Sequence, residues 1–321
     1  MYKRVLVPLD GSELAEVVFS YAKEFAARLG LDLVLLHVTS PHERDLVPLH
    51  RAYVEQAAGV LRRESEELQK EAGIQPKGGG VRTEGELAVG HAAEEILSCA
   101  LRHNIDLILM ATHGRSGIKR WALGSVADKV LRVSKIPVCL VRAGLREEII
   151  HDKWPTRTML VPLDGSELAE LVIPHVEALA KQRGSELVDV VLLRVCEPPA
   201  VPSDYPPTAG LTWEEHQAQE IARHTTVCDE YLAGVQKRLE GMGLKARSVV
   251  LKGKPADEIT DYASKNCVNL IVMSTHGRSG ISRWAYGSVA NKVLLGVCSP
   301  VFLIRPPSGA KTPSASADPT C

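Results

Sequence analysis

The chain is poor in aromatic side chains, with four Trp, seven Tyr and three Phe in 321 residues. That is too few to build the stacking platforms on which single-stranded nucleic acid lies. Net charge is also almost absent. The 38 Lys and Arg nearly cancel 39 Asp and Glu, leaving a formal −1, so there is no field for collecting polyanions. No nucleic-acid partner is expected. Nor is a membrane partner, because no apolar run approaches the ~20 residues that a helical span requires. The cysteines (Cys99, Cys139, Cys196, Cys228, Cys267, Cys298 and Cys321) are odd in number, and no two share a metal-type spacing. Reduced thiols in a cytoplasmic protein are expected. Strand-like sequence directly follows Met1-Tyr2-Lys3-Arg4, so no signal peptide is expected. A Gly-x4-Gly-Lys-Ser/Thr motif is missing, which excludes a P-loop nucleotidase. No Gly-x-Gly-x2-Gly follows the first strand, which argues against a dinucleotide dehydrogenase.

What is present is a duplication. The eleven residues Leu6 to Glu16 (Leu-Val-Pro-Leu-Asp-Gly-Ser-Glu-Leu-Ala-Glu) recur as Leu160 to Glu170. Thr112 to Ile118 (Thr-His-Gly-Arg-Ser-Gly-Ile) recur as Thr275 to Ile281. In each copy Gly-Ser-Val-Ala follows at the same distance, at Gly124–Ala127 and Gly287–Ala290. The retained residues are polar and glycine-rich, whereas packing alone would retain apolar positions. The first pair is offset by 154 positions and the second by 163, so the second copy carries nine more residues between its motifs. Part of that surplus is expected in the proline-rich loop from Cys196 to Leu211. The boundaries expected are a first domain at 1–144, a linker at 145–156, a second domain at 157–306 and a disordered tail at 307–321.

Each copy alternates short apolar runs with amphipathic stretches. The runs are Arg4–Pro8, Leu33–Val38, Val81–Glu84, Leu107–Ala111 and Val138–Val141, then Thr158–Pro162, Val188–Val195, Ser248–Leu251, Leu270–Ser274 and Val301–Ile304. They are nearly all apolar, the mark of strands covered on both faces. Leu14, Val17, Tyr21, Phe25 and Leu29 recur at helical spacing, with Ser12 as N-cap and Gly30 past the end. Pro174 is expected to kink or delay the equivalent helix. The fold class expected is α/β, as two tandem doubly wound domains with five-stranded parallel sheets of the Rossmann-like kind. The fifth strands are expected at sheet edges, where long apolar strands seek a partner. An intrachain pseudo-dimer follows, with a further homodimer open.

Ligands in such sheets bind at the carboxyl ends of the strands, at the topological switch point. Both repeated motifs fall there. Asp10-Gly11-Ser12 follows the first strand, and Ala111-Thr112-His113-Gly114 follows the fourth and runs on to Gly124-Ser125, which opens a helix. Glycines admit close backbone approach, and the free N–H groups of a helix start favour phosphate. Ser125 and Ser288 can add a hydroxyl. The alternative is plain N-capping, because Ser125-Val-Ala-Asp128 has capping-box spacing, with Asn291 in place of the acid in the second copy. Arg115, Lys119, Arg120, Arg278 and Arg283 could pair phosphate oxygens or form a solvated face. His113 and His276 read as donors that fix the loop rather than as acid–base groups. Trp121 and Trp284 read as loop anchors.

The pattern resembles the universal stress protein family in tandem form. Its ATP-binding subclass carries Gly-x2-Gly-x9-Gly-Ser/Thr. The copies here read Ala111-x2-Gly114-x9-Gly124-Ser125 and Ser274-x2-Gly277-x9-Gly287-Ser288, with Ala and Ser in place of the first Gly. The resemblance covers nearly all of both copies and implies an adenine nucleotide alpha hydrolase-like fold. It further implies ATP as cofactor, with Mg²⁺ on the phosphates. The nucleotide-binding set implied in the first copy is Pro8, Leu9, Asp10, Val38, Met110, Ala111, His113, Gly114, Arg115, Gly124, Ser125 and Val126. In the second it is Pro162, Leu163, Asp164, Val195, Met273, Ser274, His276, Gly277, Arg278, Gly287, Ser288 and Val289. For the two aspartates the competing reading is turn chemistry at a helix start. For Val38, Val195 and the two methionines it is core packing.

A phosphoacceptor receiver domain shares this strand order but needs an Asp ending the third strand and a Lys near the fifth. The chain offers Glu84 and Arg142, then Leu251 and Arg305, so that reading falls. Two function classes remain. One is a regulatory protein that holds ATP and turns it over slowly if at all. The other is an ATP-independent interaction module of the same fold. No residue stands out as a general base.

Overall fold

A computed structural model describes residues 2–75, 80–113, 123–142, 157–197, 213–276 and 286–307. The first half runs β1 (Arg4–Leu9), α1 (Glu13–Glu16), α2 (Phe19–Leu29), β2 (Asp32–Thr39), α3 (Val47–Glu71), β3 (Thr83–Val89), α4 (Ala92–Arg102), β4 (Leu107–Ala111), α5 (Ser125–Val133) and β5 (Val138–Val141). The second repeats it as β6 (Arg157–Pro162), α6 (Glu167–Glu170), α7 (Ile173–Arg183), β7 (Val188–Cys196), α8 (Trp213–Gly241), β8 (Lys245–Lys252), α9 (Pro255–Lys265), β9 (Leu270–Ser274), α10 (Ser288–Gly296) and β10 (Val301–Ile304).

The strands join one sheet in the order β3-β2-β1-β4-β5-β10-β9-β6-β7-β8. Pairings within each half are parallel. Alternate side chains feed two cores. Val5, Val7, Leu33 and Leu35 pack with Ala22 of α2 and Val54 and Leu61 of α3 on one face. Leu6, Val34 and Leu36 pack with Ile96 of α4 and Val130 of α5 on the other. Helices on both faces bury the strands twice, which is why β4, β5 and β10 are buried at every position. Each half is thus doubly wound and mostly parallel, the α/β class expected.

The two halves meet through β5 and β10, which pair antiparallel with Phe302 opposite Cys139. Arg142, just past β5, donates to the Leu295 carbonyl at the end of α10 at 2.8 Å. Arg305, just past β10, donates to the Arg132 carbonyl at the end of α5. Each half therefore supplies a cation to the carbonyl end of the other's helix, where the dipole favours one. The Tyr286 hydroxyl donates to Asp128 of α5 at 2.5 Å, and Arg132 lies over the Tyr286 ring at 5.5 Å. On the other face of the sheet, the Tyr2 hydroxyl and His175 Nδ1 share a hydrogen bond of 2.5 Å, and the Tyr2 ring meets Phe302 edge-on.

Three expectations need correction. The third strands are Thr83–Val89 and Lys245–Lys252, not Val81–Glu84 and Ser248–Leu251. They lie at the sheet's outer edges and carry charged residues such as Glu84, Glu86, Lys245 and Arg247, so apolar runs mark only part of β8 and set β3 two residues early, ending it at Glu84. The amphipathic stretch after β1 is two helices, with Ser12 capping α1 and Gly30 ending α2 at φ 67°. The chain turns at Val17-Val18, and fully buried Val18 seats that turn on the core. The second half turns at the matching Leu171-Val172, with Val172 also fully buried. Pro174 occupies the first turn of α7 and fits the restart. The first half breaks at the same place without a proline, so Pro174 is not the cause. The expected linker, most of the proline-rich loop and nearly all of the tail lie outside the described residues.

Candidate functional site

β1 and β4 are neighbours, yet they pair only at Val5↔Leu107 and Leu6↔Ile108. β1 stays with β2 as far as Leu9↔His37, and β4 stays with β5 as far as Ala111↔Val141. The carboxyl halves of β1 and β4 therefore part, each following its outer neighbour. This crevice is the switch point of a doubly wound sheet. The second half repeats it, with β6 and β9 paired only at Met159↔Leu270 and Leu160↔Ile271.

One wall is the Asp-Gly-Ser turn. Gly11 and Gly165 hold φ of 78° and 88°, where a side chain would be strained. The Ser12 N–H and hydroxyl both donate to Asp10 Oδ1, at 3.0 and 2.6 Å. Ser12 Oγ in turn accepts the Ala15 N–H at 3.2 Å and caps α1. Asp164, Ser166 and Ala169 repeat this at 3.0, 2.6 and 3.1 Å. Turn chemistry thus accounts for one oxygen of each aspartate. Pro8 and Pro162 are half-buried, and the side chains of Leu9 and Leu163 enter the core.

The other wall begins at Thr112, whose N–H donates to the Val141 carbonyl at 2.9 Å and whose own carbonyl accepts the Gly124 N–H at 2.9 Å. A Cβ on Gly124 would lie 2.9 Å from that carbonyl oxygen, so glycine is what lets the loop close. Thr275 and Gly287 close the second loop by the same bond at 2.7 Å. Gly124 and Gly287 are the N-caps of α5 and α10, and neither helix has a side-chain cap. Capping-box spacing at Ser125 therefore has no counterpart in the structure. Ser125 and Ser288 stand exposed at the first helical positions, and the Asp128 carboxylate turns away to Arg132 and Tyr286. The first-turn N–H groups have no intrahelical acceptor by helix geometry. With glycine before them and an exposed hydroxyl beside them, they present donors and a positive dipole end to the crevice.

His113 Nδ1 and Thr112 Oγ1 are 3.0 Å apart, as are His276 Nδ1 and Thr275 Oγ1. Both histidines thus engage the base of the loop. Ala111 is buried, and the Ser274 hydroxyl accepts the His276 N–H at 3.4 Å. Met110 and Met273 are buried, while Val38, Val195, Val126 and Val289 are half-buried against the same core face. Gly114, Arg115, Lys119, Arg120, Trp121, Gly277, Arg278, Arg283 and Trp284 lie outside the described residues.

Reading by motif missed Arg194. It follows Leu193 on β7 as His37 follows Leu36 on β2, so aligning the two copies would have exposed the exchange. The Arg194 guanidinium stacks 4.9 Å from the Tyr231 ring centre and sits 3.1–3.2 Å from where a Gly165 Cβ would be. The second crevice thus carries a fixed cation at its Asp-Gly-Ser turn. In the first, the buried His37 ring packs 4.5 Å from that of His50.

The model of the universal stress protein family matches this chain twice, over residues 1–142 and 155–305. A universal stress protein of Mycolicibacterium smegmatis is 26% identical over 305 residues, covering 94% of this chain and 97% of that protein. One from Thermus aquaticus is 34% identical over 144 residues, covering 44% of this chain and 100% of that protein. Among solved structures, a universal stress protein of Archaeoglobus fulgidus matches with a TM-score of 0.61 at 19% identity, covering 94% of this chain and 96% of that one.

Proposed function

The chain belongs to the universal stress protein family, and on that premise we propose that it is a regulatory protein that binds adenine nucleotide, ATP by preference, in two crevices. One observation carries the reading. In both halves a helix opens at Gly-Ser without a side-chain cap, on the rim where neighbouring strands part. Such a helix start is suited to a phosphate. The steric demand at Gly124 supports it, since a Cβ there would fill the loop that forms the cradle. In this reading Gly114, Gly124, Ser125 and Val126 hold phosphate in the first half. Gly277, Gly287, Ser288 and Val289 do so in the second, with Arg194 as an added cation. Arg115 and Arg278, by their places in the repeated motifs, would pair phosphate oxygens. Asp10 and Asp164 border the crevices with carboxylates for Mg²⁺ on the phosphates. Pro8, Leu9, Val38, Met110, Ala111 and His113 frame the first base and sugar; Pro162, Leu163, Val195, Met273, Ser274 and His276 frame the second. Hydrolysis in this reading is slow or nil, because the sequence nominates no general base for an attacking water. The domains are 1–144 and 157–306, paired as an intrachain pseudo-dimer in the cytoplasm.

Mass spectrometry of the small molecule released on denaturing fresh protein, with calorimetric titration of ATP, tests the reading. Binding is expected, and Gly114→Val with Gly277→Val should abolish it. No binding at millimolar ATP by the unaltered chain would overturn it. A second reading, an ATP-independent interaction module, is favoured in the second half alone by the Ser274 hydroxyl bonding within its own loop. A pull-down unchanged by the two valine substitutions would support that reading.

A further inference from the structure

The first half carries a cluster that the second lacks and the nucleotide reading does not use. Cys99 on α4 and His103, the residue that caps its end, lie one turn apart, and Glu86 faces them from β3. One ligand atom from each of the three lies within 4.8 Å of the others. His103 Nε2 is 2.6 Å from Glu86 Oε2, and Cys99 Sγ is 3.6 Å from the same oxygen. The other carboxylate oxygen, Oε1, is held by Arg102. Cys99 is fully buried, while the His103 and Glu86 side chains are 21% and 23% exposed. The trio therefore has a closed inner side and an open outer one. At the corresponding places the second half has Val249, Tyr262 and Asn266, with the Tyr262 hydroxyl accepting from Arg247 at 2.9 Å. The fold thus does not require the trio.

We propose that Glu86, Cys99 and His103 form a binding site for a thiophilic divalent cation, Zn²⁺ above all, with a fourth position open to solvent. One thiolate, one imidazole and one carboxylate are a ligand set that zinc takes in tetrahedral geometry, at about 2.0–2.3 Å per bond. A thiolate ligand selects against Mg²⁺ and Ca²⁺. Without a cation, the hydrogen bond between His103 and Glu86 draws the site together. The cation replaces that bond: the Nε2 proton passes to Nδ1 through solvent, and nitrogen and oxygen part to about 3.3 Å, the edge of a tetrahedron with bonds of about 2.0 Å. Cys99–SH loses its proton to solvent as the sulfur–metal bond forms, so binding releases a proton with no change of oxidation state. Arg102 on Oε1 leaves Oε2 as the coordinating oxygen, the orienting role of a second-shell partner. The site was hidden from a search of cysteine spacings because its ligands are one cysteine, one histidine four residues on, and a glutamate on another element.

The test uses the full chain with Cys267, Cys298 and Cys321 changed to Ser, titrated with Co²⁺ and then Zn²⁺. One equivalent of Co²⁺ should bind with a thiolate-to-metal charge-transfer band that Zn²⁺ abolishes. Cys99→Ser should lose the band. No band in the parent, or one that persists in Cys99→Ser, would overturn the proposal. Should Cys99→Ser fail to fold, His103→Asn decides, since it introduces the second half's own residue. Zn²⁺ should raise the parent's melting temperature and leave that of His103→Asn unmoved; an equal rise in both would overturn the proposal.

Discussion

Gly124 and Gly287 occupy the same place in two nearly identical loops, yet alanine should not cost the same at both. At Gly124 a Cβ would sit 2.9 Å from the Thr112 carbonyl oxygen; at Gly287 it would sit 3.4 Å from that of Thr275. The first distance is a clash with backbone, and the second is a contact. The Thr112 carbonyl has little freedom to retreat, because the Thr112 N–H is tied to Val141 and the carbonyl itself accepts from Gly124. Both glycines have ordinary helical-entry φ, −59° and −65°, so backbone strain cancels in the comparison. So does the poor capping of alanine and the gain of about 0.4–1 kcal/mol from a stiffer unfolded chain. What remains is overpacking, about 1–3 kcal/mol at Gly124, plus about 1 kcal/mol if the loop-closing hydrogen bond breaks. Gly124→Ala should therefore be less stable than Gly287→Ala by about 1–4 kcal/mol, a separation of several degrees in melting temperature. Urea and thermal unfolding of the two full-length variants measure this directly. Equal destabilisation, or a larger loss in Gly287→Ala, would refute the account of how the first loop closes.

Other consequences are open to simple measurement. Gly165→Ala forces an alanine to φ 88° against the Arg194 guanidinium and should cost about 1–2 kcal/mol in urea unfolding. Arg194→Met should weaken nucleotide binding in the second crevice while leaving the first unchanged, readable as a two-site calorimetric titration. Arg142→Ala with Arg305→Ala removes both cations from the opposed helix ends, about 0.3–1 kcal/mol each, and should broaden small-angle scattering as the halves loosen. Burial pushes the Asp128 carboxyl up, but hydrogen bonds from Arg132 and Tyr286 outweigh it and hold it below the ordinary carboxylate range. That stabilisation is complete above the unfolded value near ~3.9 and is lost as pH falls through the lower folded value. Tyr286→Phe removes one donor, so its acid unfolding should begin at higher pH than that of the unaltered chain.

Much of the fold could be read from the chain because buried parallel strands announce themselves. β4, β5, β9 and β10 have their expected ends, since every residue in them is apolar or small and the flanks are polar or proline. β8 is longer than its apolar run and β3 lies further along the chain than its own, because one edge of each faces water and Glu86 or Arg247 then costs little. The turn at Val17-Val18 escaped notice because its residues keep helical spacing. The break lies in how a buried valine seats on the sheet, which periodicity cannot report. At the site, glycine and serine positions were legible because a repeat retains them without a packing reason. Arg194 was not, because it lies outside both repeated motifs and acts through stacking on Tyr231 from a distant helix.

The antiparallel meeting of β5 and β10 reverses one half relative to the other. Strand carboxyl ends therefore point north in the first half and south in the second, and the two crevices open on opposite rims of a single slab. On the proposed reading, a small partner docked on one rim would meet one crevice and not the other. The rims are joined by contacts across the seam on both faces of the sheet, Tyr286 with Asp128 on one and Tyr2 with His175 on the other.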